Sequence, residues 1–103
     1  MAKRKNSPVV LPPAKRDIKK ACDWYDEQRH DLGDVFLERV DECLASIRRN
    51  PKAFQLVAKD ARRAVVKQFP YMVFFKIEDN VIYVYAVFHA AQDPQKWMDR
   101  LGE

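Results

Sequence analysis

Only two glycines, Gly33 and Gly102, occur in the 103 residues. That scarcity excludes a P-loop or a dinucleotide-binding turn, both of which need glycines where backbone closely approaches phosphate. There is likewise no GxSxG elbow and no HExxH helix. No cofactor is therefore expected, and a nucleotide-cofactor enzyme of a common type is ruled out. Cysteine is almost as rare. Cys22 and Cys43 stand alone, with no CxxC and only two histidines scattered along the chain. A zinc site needs clustered ligands, so no metal is expected, and both cysteines read as reduced core thiols on apolar helix positions. No run of about 18 apolar residues is present to span a bilayer. The start, "MAKRKNSPVVLPPAKR", has cations but no apolar h-region, so a cytoplasmic protein with no membrane partner is expected.

What is present is the balance of a globular domain: 48% hydrophobic and 33% charged residues, with a net charge of +4. The length fits one domain with a single core. A basic surface suits nucleic acid or an acidic protein segment, or is simply a solvated lysine-rich exterior. Residues 1–8 carry Lys3, Arg4 and Lys5 without periodicity and read as a mobile basic tail; residues 9–103 form the domain.

Val9, Val10 and Leu11 read as a short strand ending at Pro12-Pro13. Ala14, Ile18, Ala21, Cys22 and Tyr25 then recur at helical spacing. Leu32-Gly33-Asp34 reads as a tight corner, with Gly33 in the left-handed C′ position and Asp34 as the next cap. The second helix presents Phe36, Val40, Cys43, Leu44 and Ile47, and should stop at Asn50 before Pro51. After Pro51 the period changes. "ARRAVVKQ", "YMVFFKIE" and "VIYVYAVFH" predict a meander of three strands, and Asp79-Asn80 predicts a two-residue turn that sets Glu78 opposite Val81. Asp93-Pro94 opens a short helix or turn in which Trp97 packs against the sheet. The fold class is α+β: a short N-terminal strand, a two-helix antiparallel hairpin on a three- to four-stranded mainly antiparallel sheet, and a short C-terminal helix.

Regular alternation along that meander puts Tyr71, Val73, Phe75, Ile77, Ile82, Val84, Ala86 and Phe88 under the helices. It leaves Met72, Phe74, Lys76, Tyr83, Tyr85, Val87 and His89 on the opposite face, with Arg63, Val65 and Lys67 beside Lys76. A face with Arg63, Lys67, Lys76, Tyr83, Tyr85 and His89 has the chemistry to bind phosphates and stack bases, or is merely solvated or covered by a partner. A one-residue slip would invert the assignment.

The words "AKRDIKKACDWYDEQRHDLGDVFL", "IRRNP", "RRAVVKQFPYMVFF" and "VYAVFHAAQDPQKW", in that order, resemble the RelE/ParE superfamily of type II toxin–antitoxin toxins, specifically its plasmid-stabilisation ParE-like branch. The resemblance runs from about Val9 to Arg100. It implies a small sheet with two N-terminal helices on one face, and a growth-inhibiting toxin neutralised by a cognate antitoxin, a small acidic protein. It also implies one of two activities, poisoning of DNA gyrase or ribosome-dependent mRNA cleavage. Under the gyrase reading the protein acts by binding. Under the endoribonuclease reading His89 is the catalytic group, assisted by Arg63, Lys67 and Lys76, since imidazole suits proton transfer near neutrality. The alternative for His89 is a strand-end residue whose ring bonds to backbone or to Asp93. The branch closes with H-x-x-R-D-P, where this chain has Gln92 in place of Arg. Gln92 thus marks an altered target surface, or a relic that only binds antitoxin.

Overall fold

The computed structural model describes residues 7–102. The tail expected over residues 1–8 lies outside the described residues apart from Ser7 and Pro8. Strand β1 (Val9–Val10) leads directly into helix α1 (Pro12–Gln28). The two prolines occupy the first helical turn, where a missing N–H and a fixed φ cost nothing. Helix α2 (Leu32–Arg49) carries Asp34 in its first turn and Arg48 and Arg49 in its last, both favourable to the helix dipole, and ends at Asn50 before Pro51. A single 3₁₀ turn leads to strands β2 (Gln55–Ala58), β3 (Ala61–Val65), β4 (Tyr71–Glu78) and β5 (Val81–His89), and helix α3 (Pro94–Leu101) closes the fold.

The sheet has five strands in the order β1-β5-β4-β3-β2, where three to four were expected. The addition is β2, four residues that pair antiparallel with β3. β1 is the one parallel neighbour, and it pairs only at Val9↔Tyr83 and Val10↔Val84. The Asp79-Asn80 turn is as expected: both residues have positive φ, 51° and 66°, and Glu78 faces Val81. This is the conformation whose twist suits a two-residue hairpin.

The corner between α1 and α2 differs from its expected form. The left-handed residue is Asp31, with φ 66°, whereas Gly33 is helical and lies inside α2. Gly33 is needed for closeness. Its N–H donates to Asp26 Oδ1 at 2.7 Å, and a Cβ there would lie 2.6 Å from that same oxygen. Asp26 of α1 thus satisfies a first-turn N–H of α2, the task expected of Asp34.

The hairpin packs on one face of the sheet. Phe36, Val40, Cys43 and Ile47 of α2 and Ala14, Ala21 and Tyr25 of α1 bury against Ala64, Val66, Val73, Phe75, Ile82, Val84 and Val87. Tyr25, Phe36, Phe69 and Tyr71 form an aromatic knot with contacting centroids 4.9–6.0 Å apart, edge-to-face except for the tilted Tyr25–Phe36 pair. The opposite face is also closed. Ala61, Phe74, Ala86 and Phe88 bury under Trp97 and Leu101 of α3.

Candidate functional site

The decisive local feature is a bulge in β5. Phe75 pairs with Val84 and Phe74 with Ala86, so Tyr85 is an extra residue on β5. An extra residue reverses the alternation beyond it. Val87 therefore points under the helical hairpin, and Ala86 and Phe88 point toward α3, the reverse of the regular assignment. His89 pairs with Tyr71, and their rings meet edge-on at 5.2 Å. The bulge thus separates His89 from the face that carries Lys76.

The bulge also leaves backbone groups to satisfy. β1 is too short to cover the outer edge of β5 past Val84, and two side chains do so instead. The Val87 N–H donates to Asp17 Oδ2 at 3.0 Å, and Arg100 Nη1 donates to the Tyr85 carbonyl at 3.1 Å. Arg100 and Asp17 are themselves an ion pair at 3.0 Å, and the guanidinium lies 4.8 Å from the Phe88 ring. Helix α1, the bulge and α3 are held at one point by groups that the sequence reading did not single out. The visible trace is slight: Asp17 is the lone acid within "KRDIKK".

The predicted site residues occupy three places. Arg63, Lys76, Tyr83 and Tyr85 lie on the α3 side of the sheet, and each cation there has a structural partner. Lys76 Nζ donates to the Leu101 carbonyl at 2.7 Å, stands 3.8 Å from Asp60 and sits 5.0 Å above the Tyr85 ring. It thereby caps the C-terminal end of α3, where carbonyls lack helical partners. Arg63 Nη2 donates to Gln55 Oε1 at 2.7 Å. Burial pushes the Tyr85 phenol above its ordinary range, and Glu78 and Asp60 add to it. Lys67 lies elsewhere, at a cleft of about 480 Å³ between α2 and β3 that also contacts Arg39, Cys43, Arg49, Phe54 and Val65.

His89 and Gln92 form the third place, the turn from β5 to α3. The Gln92 Oε1 accepts the His89 N–H at 2.8 Å, and the Gln92 N–H donates to the His89 carbonyl at 3.0 Å. His89 Nδ1 accepts the Ala91 N–H at 2.9 Å, which assigns the neutral ring's proton to Nε2. The imidazole bonds to backbone and not to Asp93, whose carboxylate caps α3 by accepting the Gln95 N–H at 3.0 Å. Gln92 therefore has a structural use that Arg would not reproduce, because guanidinium has no acceptor. Trp97 packs as expected, stacked on Phe74 with centroids 4.5 Å apart.

This arrangement of elements has known counterparts. The family model described as "ParE toxin of type II toxin-antitoxin system, parDE" matches residues 9–94. The chain belongs to the ParE toxin family. A solved chain of the chromosomal ParDE toxin–antitoxin system from P. aeruginosa has a similar fold, with a TM-score of 0.74 and 11% sequence identity; the likeness covers 84% of this chain and 98% of that one. No individual curated sequence matches. The ParE family thus accounts for the hairpin-on-sheet fold, while the bulge latch and the His89–Gln92 turn are read from this chain's own geometry. Among the described residues, no helix is long and apolar enough to cross a membrane, and no three His, Cys, Asp or Glu side chains gather as metal ligands.

Proposed function

We propose that this protein is the toxin of a type II toxin–antitoxin pair and arrests growth in the cytoplasm by binding DNA gyrase, not by cutting RNA. One observation carries the choice: the imidazole is on the opposite face of the sheet from Arg63 and Lys76. Cleavage by 2′-hydroxyl attack needs a proton acceptor, a proton donor and a phosphate-binding cation within reach of one scissile bond. Here His89 stands with Tyr71 on the hairpin side, whereas Lys76 is on the other side and engaged with the Leu101 carbonyl.

The antitoxin would be a small acidic protein, as the net charge of +4 favours. The α2–β3 cleft is its proposed seat. Val65 is 69% exposed there, on a stretch of β3 that β2 does not reach, and Arg49 and Lys67 line the cleft without a carboxylate partner among the described residues, while Arg39 pairs with Glu42. That combination suits an acidic segment laid in the groove or along the strand edge.

The test is supercoiling by purified gyrase with and without the purified protein. Inhibition with trapped cleaved DNA is the expected result, and His89→Ala should leave it intact. A protein that arrests growth without affecting gyrase would point instead to the ribosome and to His89.

A further inference from the structure

A second cleft, of about 410 Å³, opens between α1, the end of β5 and α3. Its wall includes Lys20 and Trp24 from α1, Tyr71 from β4, and Lys96 and Arg100 from α3. A neighbouring hollow adds Arg16 and shares Asp17, Lys20 and Arg100. Four cations thus surround one carboxylate, and that carboxylate is already paired with Arg100. Arg16, Lys20 and Lys96 have no carboxylate within salt-bridge distance among the described residues. The positive potential here is consequently uncompensated, unlike that at Lys19 on the same helix, which pairs with Asp23 at 2.9 Å.

The aromatic at this cleft is equally distinctive. Trp24 is 53% exposed, although the protein's other tryptophan, Trp97, is buried between α3 and the sheet. It follows Lys20 by one helical turn, so the indole and the ammonium occupy the same strip of α1. Its neighbour Tyr25 supports it edge-on at 5.1 Å. About half of this indole is open to solvent beside cations that have no carboxylate partner among the described residues, so its ring is available to a ligand at the cleft.

We infer that this cleft binds single-stranded nucleic acid, with Lys20, Lys96 and Arg16 on the phosphates and an unstacked base on Trp24. Lysines recognise phosphates as point charges, and an exposed indole accepts any base by its π-face, so the site selects single strands without reading sequence. An acidic peptide would satisfy the lysines but has no group that needs the indole. The inference does not depend on gyrase as the target. It also asks for no cleavage, since His89 does not line this cleft.

Titration of the purified protein with an oligothymidine of about a dozen nucleotides tests it, followed by tryptophan emission across a salt series. Saturable quenching is expected, with log affinity falling by about 0.7 per log unit of salt for each phosphate neutralised. Lys20→Gln with Lys96→Gln should flatten that slope by about 1.4. Trp24→Ala, followed by fluorescence anisotropy of a labelled strand, should weaken binding about tenfold. All three side chains project from exposed helix positions, and an unchanged far-ultraviolet spectrum and midpoint of urea unfolding will show that the variants fold. No binding at low salt overturns the proposal. So does binding that is indifferent to Trp24→Ala and equalled by polyglutamate, which would make the cleft a seat for an acidic protein.

Discussion

The two faces of the sheet are closed by unequal means. Helices of 17 and 18 residues cover one face, and a helix of 8 residues covers the other. The hairpin side is held by hydrophobic contact, with Phe36, Val73, Phe75 and Val84 fully buried and an aromatic knot at one end. A helix of two turns cannot hold itself together in water. α3 is fixed by one tryptophan stack and by polar ties at each end: Asp93 at its start, Lys76 on its last carbonyl and Arg100 on Asp17. Long helices bring enough apolar area to dock without such ties, and short ones do not. One of these ties occupies Lys76, a cation that a catalytic sheet face would need, so the demands of closure bear directly on function.

That contrast can be broken by substitution. Phe36→Ala should have the largest effect, about 3–5 kcal/mol of global stability, because it empties the centre of the hairpin core. Urea unfolding measures it, and the m-value should not change. Trp97→Ala should act locally: hydrogen exchange of Lys96 to Leu101 should accelerate while β4 amides stay protected. Equal loss of protection in both elements would mean that the two faces unfold as one unit. Asp17→Ala comes next, at about 2 kcal/mol, because it strands Arg100 and the Val87 N–H together. Arg100→Met in the same chain should recover part of that loss, since the unpaired guanidinium is then gone. Additive losses instead would mean that Asp17 and Arg100 do not act as a pair.

The contrast also explains what could be read from the sequence. The hairpin face was legible because it is written in periods: Phe36, Val40, Cys43 and Ile47 at helical spacing, Val73 and Phe75 at strand spacing. The Asp79-Asn80 turn was legible because few residue pairs tolerate two positive φ angles. The bulge at Tyr85 was not, since an unbroken β-prone run such as "VIYVYAVFH" looks the same with or without an extra residue. Regular alternation therefore puts every strand residue after it on the wrong face, His89 included. β2 is not legible because four residues give too little alternation to mark a strand. The Asp17–Arg100 pair spans 83 positions, and nothing local marks either partner.

Smaller effects sharpen the picture within the hairpin side. Gly33→Ala should cost about 1 kcal/mol, because the new methyl displaces the Asp26 carboxylate and its bond to the helix N–H. Asp26→Ala should cost a similar amount in thermal unfolding, and the two losses should not add, since each removes the same bond. A full second loss in the double variant would mean that Gly33 matters for another reason.

Cys43 offers the mildest probe. It lies at the floor of the α2–β3 cleft, and burial pushes its thiol up from 9.0 to about 11. The folded protein therefore holds this proton more tightly than the unfolded chain does. The resulting stability is complete below about pH 9 and lost as pH rises toward 11. Cys43→Ser should not show that part of the decline. The thiol should also react with iodoacetamide at pH 9 far more slowly than an unfolded control. An acidic segment seated in the cleft should slow it further, so protection of Cys43 on adding the antitoxin would place the partner on the hairpin side. Unchanged reactivity in a formed complex would place it elsewhere, leaving the α2–β3 cleft without an occupant.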